Sequence, residues 1–242
     1  IMMKLVSLIM SFAPLGVFAL MIQLGATLNA DTLMSVAGYV GLVVSLLVVW
    51  IVVVYPLAVW AFTGLRPATF RRQVREQFLF SLSTASSNAT IPVTMRTLTE
   101  KIGVSKTVAG FGVPLGATMN MSGVSIYITL ATVFAANAYG TPFAVSDLFT
   151  LGLTVLLLSV GAGGVPGGGI VMVGVLLTQL GLPVEALAIV AAVDRVCDMF
   201  CTSANVIGDT AVNTIVAKSE GELDLTTLEE TGESTVEMKK AV

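Results

Sequence analysis

Residues 33–63 contain no Asp, Glu, Lys or Arg, and nothing else in the sequence constrains the fold as tightly. A helix needs roughly 20 apolar residues to cross the hydrocarbon of a bilayer, so this run spans with residues to spare. Of the 242 residues 55% are hydrophobic and only 11% charged, with a mean hydropathy of +0.93; soluble domains carry about 25% charged residues. A water-soluble monomer is excluded. The apolar runs are long rather than short and alternating, which excludes a transmembrane β-barrel and predicts an all-α polytopic membrane protein.

Composition removes several chemistries. There is no histidine, hence no His-based proton relay, zinc site or haem ligation. Cys197 and Cys201 stand i, i+4 in one apolar segment. A metal site wants three or four ligands, so they read as small residues packed on a helix face. No nucleophile elbow is present, so neither an enzyme nor an organic cofactor is expected, and no nucleic-acid partner is. The net charge of −3 comes largely from the end of the chain, where Glu220, Glu222, Asp224, Glu229, Glu230, Glu233 and Glu237 form an acidic solvated tail over 218–242. The opening Ile1-Met2-Met3-Lys4 lacks a signal-peptide pattern. It reads as the later part of a longer protein.

Cytoplasmic loops collect Lys and Arg, which orders the spans. Lys4 places the start inside, and a first span at 6–28 runs outward through an uncharged link. A second, at 33–62, returns to the cluster Arg66, Arg71, Arg72 and Arg75. Residues 77–94 are flanked by that cluster and by Arg96, Lys101 and Lys106, so both ends read as cytoplasmic. The segment holds Ser81, Ser83, Thr84, Ser86, Ser87, Asn88, Thr90 and Pro92, too polar to face lipid. It is expected to dip in and return as a re-entrant hairpin with its tip near 86–89, sheltered by protein or a water-filled cavity. A span at 106–138 then crosses outward. The segment 148–180 is interrupted by Gly161-Ala162-Gly163-Gly164-Val165-Pro166-Gly167-Gly168-Gly169, which cannot sustain a helix. Its flanks carry no Lys or Arg, so it dips in from outside. A last span, 183–217, descends to Lys218 and a cytoplasmic C-terminus. Eleven of the twelve positive charges then fall on one side; Arg195 alone lies within the membrane.

Hairpin-plus-span thus occurs twice, entering from opposite sides. Inverted repeats with broken helices meeting near the midplane mark secondary transporters. An ion channel also uses irregular backbone, but two hairpins from opposite sides fit alternating access, which needs two gates.

The last span carries a polar stripe. Asp194, Asp198, Thr202, Asn205 and Asp209 fall on one helical face. Intramembrane carboxylates cost about 2.5–3.5 kcal/mol each on insertion scales and mark substrate or ion paths. For Asp194 the alternative is a structural ion pair with Arg195; Asp209 has no cation within two turns. Asp209 beside Asn205 suits a small cation that takes oxygen ligands. The polar interruption Thr118-Met119-Asn120-Met121-Ser122-Gly123 is either a packing seam or a source of further oxygens for that ion.

Four segments in order, 86–95 (SSNATIPVTM), 116–123 (GATMNMSG), 161–169 and 198–209 (DMFCTSANVIGD), jointly resemble the dicarboxylate/amino acid:cation symporter family, over residues 1 to about 223. The resemblance implies an elevator-type symporter, a homotrimer when full length, in the bacterial inner membrane. This chain matches it from the fifth transmembrane helix onward, with residues 1–30 a scaffold helix and 31–217 the transport domain. It implies that the two hairpins are the inner and outer gates. A substrate amino group would meet Asp198 and Thr202, and its carboxylate Asn205 and the tips at Ser86, Ser87, Gly164 and Val165. It further implies one sodium site at Gly116, Asn120, Asn205 and Asp209, and a second from backbone oxygens of Thr118, Met121, Ser159, Val160 and Ala162.

Departures from the pattern refine this. Acidic-substrate members carry an arginine where Cys201 stands, and a bidentate arginine is the strong way to hold a carboxylate. Val124 replaces a usual threonine. A small neutral amino acid such as serine, threonine or alanine is therefore the expected substrate, with an acidic amino acid or dicarboxylate as the alternative. Ser122 replaces an aspartate, which bears on sodium stoichiometry and leaves proton coupling open. It also leaves open a non-transporting or channel-like relative.

Overall fold

The charge-free run folds as α1 (Ala30–Val49) and α2 (Tyr55–Thr63), joined by one π-helical turn, Trp50–Val54. Pro56 explains the wider turn. It has no N–H, so the carbonyl of Val52, four residues earlier, loses its helical donor. Arg71 supplies one, its Nη1 donating to Val52 O at 3.1 Å. The N–H of Tyr55 bonds back to Trp50 O, and the helix passes the proline without ending. Gly64, at φ +80°, closes α2. In this computed structural model residues 30–183 and 186–224 are described, with Leu15, Phe18, Ala19 and Ile22 of the first segment. The span expected at 6–28, Lys4 and the tail beyond Asp224 lie outside the described residues.

The basic cluster begins α3 (Pro67–Gln73), with proline at its first position, where no N–H is needed. The serine-rich segment is a helical hairpin, α4 (Arg75–Thr84) and α5 (Ser87–Arg96), continued by a π turn over Thr97–Ile102. The reversal falls at Ala85 and Ser86, not at 86–89, and the arms extend beyond 77–94. One left-handed residue, Ala85 at φ 48°, ends α4. Extended Ser86 then caps α5, its Oγ accepting from Ala89 N. Two residues suffice for the turn, so Ser87, Asn88 and Ala89 are already helical.

The span expected at 106–138 is two helices, α6 (Lys106–Met119) and α7 (Ser122–Ala138), broken at Asn120 and Met121. The glycine-rich segment joins α8 (Asp147–Gly161) to α9 (Gly168–Gln179). Its break is confined to residues 162–167, because glycine at a helix end costs little. The chain closes with α10 (Ala186–Ser219), which packs against α7, α4, α2, α6 and α1. Residues 201–211 of α10 are all buried, so the helix is encased on every side at that level. Two helical runs, Leu33–Thr63 and Lys106–Ala138, are long and apolar enough to cross a membrane.

Polar bonds fasten the α4–α5 hairpin to α10. Gln77, fully buried, reaches Thr94 Oγ1 (3.0 Å), Val206 O (3.1 Å) and Thr210 Oγ1 (2.8 Å) with its amide nitrogen. Ser81 Oγ donates to Ser203 Oγ at 3.2 Å. At the exposed end, Glu76 binds Lys101 (2.7 Å) and Arg96 (3.0 Å), tying the two arms together. The hydrogen bond and charge of Lys101, then the charge of Arg96, hold its carboxyl below the ordinary carboxylate value. Past α10 the chain turns back: Ser105 N donates to Glu222 O and Asp224 N to Gly103 O, with Leu223 packed on the core. Among the described residues this Val104–Leu223 bridge is the only β-type pairing.

Gln77→Ala removes the one side chain that joins α4, α5 and α10. It is expected to cost about 2 kcal/mol, the upper end for an intramembrane hydrogen-bond network. A lowered thermal midpoint of the full-length protein in detergent, followed by tryptophan fluorescence, measures it; an unchanged midpoint would show the network to be dispensable.

Candidate functional site

The three breaks in the helices lie against α10. Each break leaves backbone groups without helical partners, and these must bond elsewhere when buried. At the two hairpin turns they bond to each other. Ser86 Oγ donates to Gly164 O at 2.9 Å, and Asn88 N donates to the same oxygen at 3.1 Å. The serine-rich and glycine-rich tips are therefore in direct contact. A Cβ at Gly164 would overlap Ala117 O and lie 2.9 Å from Asn88 Oδ1; only glycine lets the tips close this far. Ser86 and Ser87 are buried beneath that contact.

The start of α9 faces Asp198: Gly167 N donates to Asp198 Oδ2 at 3.1 Å. The start of α7 faces Asn205, Gly123 N donating to Asn205 Oδ1 at 2.7 Å. Two helix N-termini, which favour negative charge and acceptor oxygens, thus point at the polar stripe. Asn205 Nδ2 in turn donates to Met121 Sδ at 3.3 Å. A turn further along, Asn120 Nδ2 donates to Asp209 Oδ1 (2.7 Å) and to Asn205 O (3.3 Å). Asp209 is 3% exposed. Gly116 is needed here, since a Cβ would overlap the Asp209 carboxylate. A groove of about 690 Å³ between α6 and α10, lined by Phe111, Gly112, Leu115 and Met119, leads down to Asn120 and Asp209.

The structure thus brings Ser86 to Gly164 and Asp198 to Gly167 at the tips, with Thr202 and Cys201 buried on the same helix as Asp198. It gathers Gly116, Asn120, Asn205 and Asp209 at the α6–α7 break. The second expected ion set is drawn together less directly. Thr118 turns its hydroxyl to Leu115 O, and Ser159 turns its own to Leu156 O. Val160 is 43% exposed while Ala162 is buried.

Asp194 takes a different partner from the one its sequence neighbour offers. Tyr127 OH donates to Asp194 Oδ1 at 2.6 Å, and Arg195 Nη1 is buried without a hydrogen-bond partner. Cys197 and Cys201 are free and buried. Sequence reading missed Tyr127, and also Tyr55, whose hydroxyl meets Ser122 Oγ at 2.5 Å. Both tyrosines sit in predominantly apolar helices. Asn88 was the legible omission, since it directly follows the two tip serines.

A family model described as "Sodium:dicarboxylate symporter family" matches residues 1–219. The chain belongs to this family. It is 37% identical over 213 residues to an excitatory amino acid transporter of Caenorhabditis elegans, covering 86% of this chain and 42% of that protein. It is 34% identical over 245 residues to human excitatory amino acid transporter 2, covering 99% and 42%. With C4-dicarboxylate transport protein 1 of Pseudomonas aeruginosa it shares 34% identity over 226 residues, covering 93% and 50%. The chain spans half or less of the length of these relatives. The family assignment agrees with a membrane transporter, in keeping with the apolar spans and broken helices.

Gly164→Ala is expected to push the tips apart. A cysteine introduced by Ser87→Cys, otherwise shielded, would then react with a thiol reagent roughly tenfold faster, equivalent to about 1.4 kcal/mol of overpacking. Both native cysteines are buried, so background labelling is low. Equal rates with and without Gly164→Ala would show that the tip contact does not shield Ser87.

Proposed function

We propose that the full-length protein is a secondary active symporter that couples uptake of a small neutral amino acid, of the serine, threonine or alanine class, to an inward cation gradient, with sodium as the ion. The observation that supports ion coupling is the surroundings of Asp209. This buried carboxylate accepts from a neutral amide, Asn120, and the carbonyl oxygens of Asn205 and Gly116 accept from the same residue. A small hard cation completes such an oxygen set. The second set, Thr118, Met121, Ser159, Val160 and Ala162, is proposed as a backbone site for another.

The substrate would lie between the tips and α10, its amino group on Asp198 and Thr202 and its carboxylate on Asn205 and the tip residues Ser86, Ser87, Gly164 and Val165. For the side chain, Cys201 decides. It is buried and offers no charge. The names of the relatives, excitatory amino acid and C4-dicarboxylate transporters, favour the other reading, an acidic substrate. That reading needs a cation facing the second carboxylate, and position 201 does not supply it. Alternating access would proceed by re-entrant gates in an elevator-type movement within a homotrimer, in a bacterial inner membrane with the C-terminus cytoplasmic.

Full-length protein in proteoliposomes is expected to accumulate labelled serine or alanine under an inward sodium gradient and not under choline. Uncoupled current without accumulation would favour the channel-like alternative. Cys201→Arg is expected to gain at least about tenfold in affinity for aspartate, the scale of a new charge-assisted bidentate pair, while losing serine. No change in selectivity would mean that Cys201 does not face the substrate side chain.

A further inference from the structure

The π turn at Trp50–Val54 does more than pass a proline. It sets the register of α2, so that Tyr55, the first residue after it, turns its hydroxyl away from the helix surface and onto α7. Tyr55 OH and Ser122 Oγ are 2.5 Å apart. Ser122 is the first residue of α7, and Asn120, which holds Asp209, lies two residues before it in the break. The tyrosine therefore anchors the chain at the point where it leaves the break.

Gly208 brings the same hydroxyl against the residue that precedes Asp209. A Cβ at Gly208 would lie 2.7 Å from Tyr55 OH and 3.0 Å from Asn120 Nδ2. The phenol and the Asn120 amide thus rest over one glycine, the residue that precedes Asp209. Three elements meet at this point: α2, the α6–α7 break and α10. π turns of this kind recur at functional sites. Here the turn is itself held, by Arg71 on Val52 O.

We propose that Tyr55, acting through Ser122, is a positioning residue for the cation site at Asn120 and Asp209. This assignment rests on the symport reading above. The hydroxyl pair carries no charge, so it cannot neutralise Asp209. Its effect is geometric. It holds the break in one arrangement before the ion arrives, so that less ordering is left for the ion to impose. Losing the pair should therefore weaken the ion and leave the substrate alone once the ion site is full. A tyrosine present only to fill space would behave differently, because phenylalanine keeps the ring and only the hydroxyl is lost.

The test uses full-length Tyr55→Phe and Ser122→Ala in proteoliposomes, with sodium as the ion and labelled substrate. Each variant is expected to raise the sodium concentration for half-maximal uptake roughly three- to tenfold, the scale of one buried neutral hydrogen bond. The substrate KM at saturating sodium should stay within about twofold. The double variant should be no worse than Tyr55→Phe alone, since Ser122→Ala removes a bond that Tyr55→Phe already lacks. Should a variant transport too weakly to assay, the sodium dependence of its thermal midpoint in detergent gives the same comparison of ion affinity. An unchanged sodium dependence in Tyr55→Phe overturns the proposal, and so does additivity in the double variant or a raised substrate KM at saturating sodium. Wild-type protein indifferent to sodium overturns the symport reading, and this assignment with it.

Discussion

A carboxylate buried in a membrane protein must find donors inside the protein, because neither lipid nor water is available to supply them. Helix α10 carries three such groups, Asp194, Asp198 and Asp209, and much of the surrounding architecture answers that demand. Regular helices have no free N–H groups along their sides to offer. Breaking a helix creates them. Gly123 at the start of α7 and Gly167 just before α9 present backbone N–H groups to Asn205 and Asp198. The break at Asn120 frees a side-chain amide to reach Asp209. The interruptions that look like defects in the apolar spans are the source of the polar partners.

Close approach is the second requirement, and glycine meets it at specific positions. A Cβ at Gly116 would strike the Asp209 carboxylate, one at Gly123 would overlap Cys201 O, and one at Gly164 would overlap Ala117 O. These residues lie in three separate segments, yet each sits where a break passes against α10 or against the opposite tip. The two hairpins are attached unequally. The α4–α5 hairpin is joined to α10 by the side chains of Gln77 and Ser81 and is crossed at its outer end by the strap at Glu222–Asp224. Among the described residues the α8–α9 hairpin meets α10 at its tip through one backbone donor, Gly167 N, and by apolar packing such as Gly174 against Leu187.

Features that depend on composition or period were legible from residues alone. The charge-free run, the glycine-rich break and the spacing of Asp198, Asn205 and Asp209 all survive into the structure, because hydropathy and helical period act locally. Contacts set by tertiary approach were not legible. The turn at Ala85 was misplaced because nothing marks alanine as left-handed; its conformation is fixed by the cap that follows. Arg71 reads as one more cytoplasmic positive charge, and its role at Val52 emerges only when α3 folds back along α2. Tyr127 and Tyr55 lie within apolar helices, where a tyrosine is ordinarily a packing residue. Their hydroxyl partners come from α10 and α7, 67 positions away in each case.

Arg195 sharpens the charge balance. A full positive charge sits on the same helix as the carboxylates, yet its Nη1 has no hydrogen-bond partner. Asp194 is met instead by a phenol, Asp198 by a peptide N–H and Asp209 by an amide. Each of these partners is a dipole, and a dipole stabilises a carboxylate without cancelling its charge. An arginine closed onto Asp209 would satisfy it permanently and leave no reason for an ion to bind. At Asp209 the neutral amide avoids the cost of an unsatisfied acceptor without adding a positive charge. The proposed cation site would need that intermediate condition, and the neutral Tyr55–Ser122 pair would preserve it by adding order without adding charge.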